Sequence, residues 1–207
     1  MRHGLNFDFI MGLPQGEFKD HVDNPGFGLS AFWGLPVGKT PVVFGLDAGF
    51  LIYGIERRRV PFSTTIPDVT VVVETRNAIA TGHLVLRLQP QQGSFQPYVD
   101  GLVGFKYLFT ESEVQNDRFF EGEGVASSTN FDDFAVSYGL GGGLDVAVHR
   151  DEHATVKINA GIRYLLGGTA EYLVKGAIDR AGGRATFTSD RSETNLLTMQ
   201  LGASIWF

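Results

Sequence analysis

The sequence predicts an all-β protein, an eight-stranded antiparallel up-and-down β-barrel that forms a single domain over residues 1–207. Apolar residues alternate with small or polar residues in eight separate segments, and a period of two is typical of strands whose two faces meet different surroundings. The connections between the segments are alternately long and short, which places all short turns at one end of the barrel. No stretch with a helical period exceeds about one turn.

The strands are expected at residues 5–12, 26–35, 42–56, 74–88, 97–110, 134–148, 156–172 and 194–207. The last strand shows the alternation most clearly. Its apolar set is Leu197, Met199, Leu201, Ala203, Ile205 and Phe207, and its other set is Thr198, Gln200, Gly202, Ser204 and Trp206.

The composition excludes several classes of protein. The chain has no cysteine, so it forms no disulfide and no thiolate metal site. The net charge of -6 argues against general binding of nucleic acid. No window approaches the roughly 18 apolar residues of a membrane helix, as expected for a barrel, in which alternation dilutes hydropathy. Because the first residues contain no apolar core of a signal peptide, we expect a mature chain without its leader.

The composition of the second face distinguishes a membrane barrel from a soluble barrel such as a lipocalin. This face consists mainly of Gly and Ser, which suit the crowded interior of a narrow barrel. It also carries eight charged residues: Asp8, Asp47, Asp100, Asp145, Arg87, Lys106, Lys157 and Arg163. Facing lipid, the four basic residues would cost about 2 to 4 kcal/mol each. We therefore expect the charged face to point inward and the Leu, Phe and Val face to contact lipid.

The inward charges are expected to form a network. Arg87 and Asp100 flank one short turn, and Asp145 and Lys157 flank the next, so each pair is predicted to form an ion pair inside the barrel. His83 shares the inward face and is expected to be a hydrogen-bonded filler of the interior.

Aromatic residues near both ends of the strands predict two interfacial girdles. Trp33, Phe44 and Phe207 fall at the short-turn end. At the long-loop end the aromatic residues are Phe27, Phe50, Tyr107, Phe109, Tyr138 and Tyr164.

Four stretches, PYVDGLVGFKY, YGLGGGLDVAV, GIRYLLGG and the terminal GASIWF, resemble the family of eight-stranded outer-membrane β-barrels. That family includes the membrane domain of outer-membrane protein A and small adhesion-type barrels. The resemblance implies a transmembrane barrel in the Gram-negative cell outer membrane, with periplasmic termini, short periplasmic turns and long extracellular loops. It also implies that Phe207 is the assembly signal read by the barrel assembly machinery. The sequence departs from outer-membrane protein A in that we expect no periplasmic peptidoglycan-binding domain, so tethering to the cell wall is not implied.

Two patterns could carry chemistry, and a third is absent. His149–His153 (HRDEH) matches the H-x-x-E-H pattern of inverted zinc proteases, but it occupies a short turn rather than a helix. Asp132 and Asp133 are adjacent at the long-loop rim, as are the paired acids of outer-membrane aspartyl-type proteases, although we expect a solvated loop. The His-x-Ser pattern of lipid A deacylases does not occur. We therefore assign no catalytic, cofactor or metal residues.

Two features beyond the third strand could bind partners. Arg57, Arg58 and Arg59 are candidates for contact with lipopolysaccharide phosphates, because guanidinium groups bind phosphate well. Val69–Val73 could offer a strand edge to a protein partner, although an ordinary hairpin extension is favoured.

The sequence thus predicts a non-enzymatic, porin-like outer-membrane barrel with a structural role or a role in contacts through its surface loops. The expected partners are outer-membrane lipid and lipopolysaccharide, the assembly machinery and a protein bound at the loops. The alternatives are a narrow pore for ions or small solutes, a lipid-modifying enzyme and a soluble ligand-binding barrel.

Overall fold

The computed structural model describes residues 3–63, 66–116, 126–181 and 184–207. The elements in these ranges are β1 (Gly4–Pro14), α1 (Glu17–His21), β2 (Gly26–Pro36), β3 (Val42–Ser63), β4 (Ile66–Leu88), β5 (Phe95–Asn116), β6 (Ala126–Arg150), β7 (Thr155–Gly167), β8 (Thr169–Ala181), β9 (Arg184–Glu193) and β10 (Leu196–Trp206). Within these ranges, no helix is long and apolar enough to cross a membrane.

Eight of the strands form a closed barrel in the order β1-β10-β7-β6-β5-β4-β3-β2. Every neighbouring pair is antiparallel, and β10 closes the barrel between β7 and β1. The predicted fold class, an all-β protein with eight antiparallel strands in a closed barrel, is confirmed. β8 and β9 pair with each other in a separate two-stranded sheet.

The hydrogen-bonded register around the barrel is staggered. Following the paired residues from Asp8 through β10 and β7 leads to Asp145 on β6. Following them the other way, through β2, β3, β4 and β5, leads to Ala135 on the same strand. These two positions are ten residues apart. Such a stagger tilts the strands against the barrel axis. Residues that are partners in register therefore lie at different heights in the interior.

The short connections at residues 37–41, 89–94 and 151–154 lie at one end of the barrel, here called the turn end. Gly38 and Gly93 in the first two of these turns have φ angles of 57° and 97°, which glycine adopts without steric cost. The opposite end is called the loop end. Both β1 and β10 reach the turn end, where Gly4 pairs with Trp206.

Two excursions predicted at the loop end are in large part strand. β3 continues to Ser63 and β4 begins at Ile66, so the predicted excursion at 57–73 consists mainly of paired strand, for example Arg57 opposite Glu74. Strand pairing also continues in β5 and β6 through much of 111–133, of which residues 117–125 lie outside the described ranges. The sequence shows no regular alternation in these parts, so it did not predict their pairing.

The seventh strand also differs from its expected range. β7 ends at Gly167, and residues 169–172 belong to β8, which pairs with β9 instead of continuing the barrel wall. β7 leaves the barrel wall near the point where its neighbour β10 ends. At the loop end, the last pair between β10 and β7 is Leu196 with Leu165.

Candidate functional site: the polar interior

The interior of the barrel holds every charged residue that the sequence placed on the inward face. Asp8, Asp47, Asp100, Asp145, Arg87, Lys106, Lys157 and Arg163 are all buried. The outward parity of the same strands carries large apolar side chains that are exposed. The interior is therefore the polar side of the wall.

Arg87 and Asp100, which face each other in register on β4 and β5, form a two-bonded ion pair. Arg87 Nε lies 2.7 Å from Asp100 Oδ1, and Arg87 Nη2 lies 2.9 Å from Asp100 Oδ2. Arg163 on β7 donates to Asp47 Oδ2 on β3 at 2.9 Å and to Asp100 Oδ2 at 3.4 Å. Two guanidinium groups thus hold two carboxylates across the interior, with the geometry that favours charge-assisted hydrogen bonds.

Two aromatic rings enclose the Arg87 guanidinium. Its Cζ lies 4.4 Å from the ring centroid of Phe32 and 3.8 Å from that of Tyr98. Both distances fall within the range of cation–π contacts. Inward glycines make room for these rings, since a Cβ at Gly45 would lie 2.2 Å from the Phe32 ring.

Asp145 and Lys157 form a second polar cluster nearer the turn end. Lys157 Nζ lies 3.6 Å from Asp145 Oδ2 and also donates to Gln96 Oε1. Gln89 Nε2 donates to Asp145 Oδ2 at 2.8 Å. The Lys157 ammonium lies 4.6 Å from the ring centroid of Trp206, which places the aromatic side chain of the last inward position over this cluster.

The other interior polar residues have different partners. His83 Nε2 lies 3.0 Å from Ser137 Oγ. Lys106 Nζ donates to the backbone carbonyls of Leu165 and Thr194 and lies near the loop end. Asp8 is buried and forms no ion pair within the described part of the chain.

An apolar cluster closes the interior at the loop end. Its members are Ile10, Phe18, Val22, Leu51, Tyr53, Ile79, Leu108, Ala135, Ala170, Tyr172 and Leu196. Phe18 of α1 is fully buried and packs edge-on against Tyr53 and Tyr172, with centroid distances of 5.8 Å and 5.1 Å. We call this set the loop-end cluster. The sequence did not predict it, because α1 is only one turn long and β8 was assigned to the wall.

The rim beyond the loop-end cluster carries the first of the three predicted lipopolysaccharide contacts. The side chain of Arg57 is exposed, and its Nε lies 2.6 Å from Oε2 of the buried Glu74. Arg76 binds the other oxygen of Glu74. Arg58 and Arg59 lie in β3, but their side chains are outside the described residues.

The Val69–Val73 run was a candidate edge for a protein partner. The structure pairs residues 71–73 with β3 on one side and with β5 on the other. Because both sides are hydrogen-bonded, this part of the run has no free edge for strand addition.

The zinc-like pattern at His149–His153 lies at the end of β6 and in the following turn. Asp151 Oδ1 accepts the backbone amides of Ala154 and His153 at 2.7 Å each, and these hydrogen bonds lower the pKa of the Asp151 carboxyl. His149 lies 3.7 Å from Asp151. Within the described residues, no group of three or more His, Cys, Asp or Glu could hold a metal ion.

The acidic pair at Asp132 and Asp133 is bound within the protein. Tyr107 Oη donates to Asp132 Oδ2 at 3.0 Å. Asp133 accepts the backbone amides of Phe134 and Glu171 at 2.7 Å each. These contacts join β5, β6 and β8 at the rim, which is a structural use of both carboxylates.

The outward face decides what surrounds the barrel. All outward side chains of β1, β2, β7 and β10 are uncharged, and the wall exposes a band of large apolar residues. Members of this band include Phe7, Phe9, Leu29, Phe44, Leu46, Leu84, Leu86, Val99, Val103, Val136, Leu140 and Leu201. A closed antiparallel barrel with apolar side chains outside and charged side chains inside is the outer-membrane type. This chain is a transmembrane β-barrel.

No family model matches the barrel, and no curated protein matches it. Among solved structures, Neisserial surface protein A is 14% identical, with 99% of this chain and 95% of that chain covered and a TM-score of 0.44. Ail of Yersinia pestis, in complex with the heparin analogue sucrose octasulfate, is 14% identical, with 100% and 97% covered and a TM-score of 0.39. A major outer membrane protein of Thermus thermophilus is 11% identical, with 99% of each chain covered and a TM-score of 0.41.

Contacts across the interior are the part of the site that sequence reasoning missed. The alternation predicted which residues face inward, and adjacency around short turns predicted the Arg87–Asp100 and Asp145–Lys157 pairs. The contact of Arg163 with Asp47 joins strands that are not neighbours, and only the stagger of the barrel brings them together. The two interior glutamines, Gln89 and Gln96, were assigned to a turn.

Proposed function

We propose that this chain is a non-enzymatic protein of the Gram-negative outer membrane, with a structural role or a role in contacts made at its loop end. The apolar outward band supports residence in a membrane. The loop-end cluster is the observation that carries the functional part of the proposal. Large buried side chains occupy the end through which a solute would pass, which supports a role other than conduction.

The proposal includes an orientation. The N- and C-terminal strands both reach the turn end, and the turns at that end are short. Outer-membrane barrels have short turns on the periplasmic side. We therefore assign the turn end and both termini to the periplasm and the loop end to the cell exterior. β10 and Phe207, the residue that follows it, are the element that the barrel assembly machinery would bind.

The loop-end rim is the proposed contact surface. Arg57 is exposed there, and the chain continues with two further arginines, so the phosphates of lipopolysaccharide are the proposed ligands of this patch. A protein partner at the loops is the other contact that we propose. Arg57 also binds Glu74, so it has one carboxylate partner before any phosphate arrives.

Two measurements test the membrane assignment and the absence of conduction. Detergent-folded protein should migrate differently on a gel with and without boiling, and it should require detergent to stay in solution. A soluble monomer with unchanged migration would overturn the membrane assignment. In planar bilayers the folded protein should give no discrete conductance steps, and reproducible single-channel openings would favour the narrow pore.

The non-enzymatic assignment has its own test. Folded protein is incubated with lipid A in mixed micelles, and the lipid is analysed by mass spectrometry. We expect an unchanged mass. A time-dependent loss or gain of an acyl chain would instead establish the lipid-modifying enzyme.

A further inference from the structure

The buried charges do not balance in the part of the interior below the loop-end cluster. Four carboxylates lie there, and the cations that contact them are Arg87, Arg163 and Lys157. The fourth interior cation, Lys106, binds backbone carbonyls near the loop end. With His83 neutral, one negative charge is left without a partner.

The uncompensated charge belongs to Asp8. The other three carboxylates each have a basic side chain within 4 Å, whereas Asp8 has none in the described part of the chain. Asp8 is 3% exposed, and its Oδ1 accepts no hydrogen bond. A buried carboxylate without a partner is costly, so a cation or a proton must compensate it.

The Asp8 carboxylate packs over a glycine of the neighbouring strand. Gly202 faces Asp8 in register on β10, and a Cβ at Gly202 would lie 2.3 Å from Asp8 Oδ1. Beyond Gly202, the same register row continues to Asn159 on β7. On the other side, the row places Ser30 of β2 directly opposite Asp8.

The neighbours of Asp8 in this row present further oxygen atoms that have no partner. Ser30 Oγ and Asn159 Oδ1 are buried and accept no hydrogen bond from the described protein groups, and the same holds for Oδ1 of Asn6, two residues before Asp8 on β1. Four unpartnered oxygens, one of them from a carboxylate, form the kind of donor set that hard cations prefer.

We propose that the barrel binds one small alkali cation, sodium or potassium, at Asp8, with the oxygens of Ser30, Asn159 and Asn6 as further ligands. A single charge matches the single uncompensated carboxylate, whereas a divalent ion would leave an excess positive charge in the interior.

The test measures the midpoint of thermal unfolding of the detergent-folded protein as the cation is varied. Sodium chloride and potassium chloride are titrated against N-methylglucamine chloride at constant ionic strength, so that general screening does not change. The wild-type midpoint should rise with alkali cation, by about 3 to 6 °C at a tenfold excess over the dissociation constant. Asp8→Asn should remove this rise. Glu152→Gln, which removes one exposed carboxylate in a turn, should keep it.

The proposal is overturned if the midpoints in alkali and organic cation coincide, or if the rise persists in Asp8→Asn. If the unfolding midpoint of the wild type does not depend on the cation and equals that of Asp8→Asn at pH 7, the Asp8 carboxyl binds a proton instead of a cation. Ser30→Ala serves as the second variant if Asp8→Asn fails to fold, and it should reduce the rise. Crystals soaked in rubidium chloride give a direct readout, since an anomalous peak is expected beside Asp8 and its absence at saturating rubidium would contradict the site.

Discussion

Arg163 on β7 donates a hydrogen bond across the interior to Asp47 on β3, although the two residues are 116 positions apart and their strands are not neighbours. The distance between Arg163 Nη1 and Asp47 Oδ2 is 2.9 Å. The other terminal nitrogen of Arg163 lies 3.4 Å from Asp100 on β5. One buried guanidinium therefore connects three strands through the interior, in addition to the hydrogen bonds of the wall.

Replacing Arg163 by Met should destabilise the barrel strongly. The substitution keeps much of the volume of the side chain but leaves Asp47 without its cation partner, and breaking a buried pair in this way costs about 3 to 5 kcal/mol. Urea unfolding in lipid vesicles, followed by tryptophan fluorescence, measures the loss. Arg57→Met is the control, because the Arg57 side chain is 69% exposed and Arg76 stays bound to the other oxygen of Glu74, so a smaller loss is expected. Equal losses in both variants would contradict the interior network.

Two glycines three residues apart on β5 should respond differently to substitution by Ala. A Cβ at Gly104 would lie 1.9 Å from the Gly82 carbonyl oxygen and 2.7 Å from His83 Cα, both backbone atoms of the neighbouring strand. Gly104→Ala should therefore cost about 1 to 3 kcal/mol or prevent closure. Gly101 faces outward, and its nearest atom would be 3.9 Å away, so Gly101→Ala should be neutral or stabilise the strand by about 0.5 to 1 kcal/mol. The same unfolding assay compares the two variants, and a larger loss at Gly101 would show that the wall is assigned inside out.

Phe18→Ala should loosen the loop-end cluster while leaving the barrel wall closed. Phe18 is the buried residue of α1, and its ring fills the space between Tyr53 and Tyr172. Without it, residues 15–25 should become sensitive to proteinase K, although the folded band on an unboiled gel should persist. Lys19→Ala, an exposed substitution in the same helix, should leave the cleavage rate unchanged. An unchanged rate in Phe18→Ala would mean that other contacts hold α1.

Asp151 should show a pH-dependent effect confined to its turn. Hydrogen bonds from the amides of Ala154 and His153 lower the pKa of this carboxyl below its ordinary value of 3.8. A lowered pKa in the folded state stabilises the turn above pH 3.8, and this contribution is lost as the pH falls through the folded value. Titration of the Asp151 carboxyl carbon by NMR should therefore give a low midpoint.

Two substitutions distinguish the hydrogen bonds of the Asp151 carboxylate from the general negative charge of the turn. Asp151→Asn should shift the amide resonances of His153 and Ala154 at neutral pH, and Glu152→Gln should not. The difference between Asp151→Asn and wild type should vanish in strong acid. A difference that persists there would show that the carboxylate charge is not the cause.

Much of the wall could be predicted from the sequence, because lipid on one side and packed side chains on the other impose a period of two. The alternation placed Asp100 and Arg87 on the inward face, and a short turn between their strands fixed their relative register. The last strand, with Leu201 outward and Gln200 inward, shows the same rule. Local sequence suffices where two neighbouring strands are joined directly.

The remaining contacts depend on closure, which local sequence does not specify. Whether Arg163 meets Asp47 depends on the total stagger around eight strands, to which every hairpin contributes. The loop-end cluster depends on α1 and β8, whose apolar residues Phe18 and Tyr172 occur in stretches that otherwise read as polar connections. The backbone pairing of β3 with β4 and of β5 with β6 continues past the ranges that the alternation predicted.

Strand length has a consequence for the lipid around the barrel. β1, β2 and β10 have 11 residues each, whereas β3 to β6 have 22 to 25. At roughly 3.3 Å per residue and a tilt of about 40 to 45°, eleven residues span roughly 26 Å along the bilayer normal, near the height of an outer-membrane apolar band. On one side of the barrel, β1, β2 and β10 have no residues beyond this length. A thicker bilayer would therefore have to thin locally around them. Bilayer thickness around this protein is therefore set by β1, β2 and β10, and the barrel should insert most readily into lipids with short acyl chains.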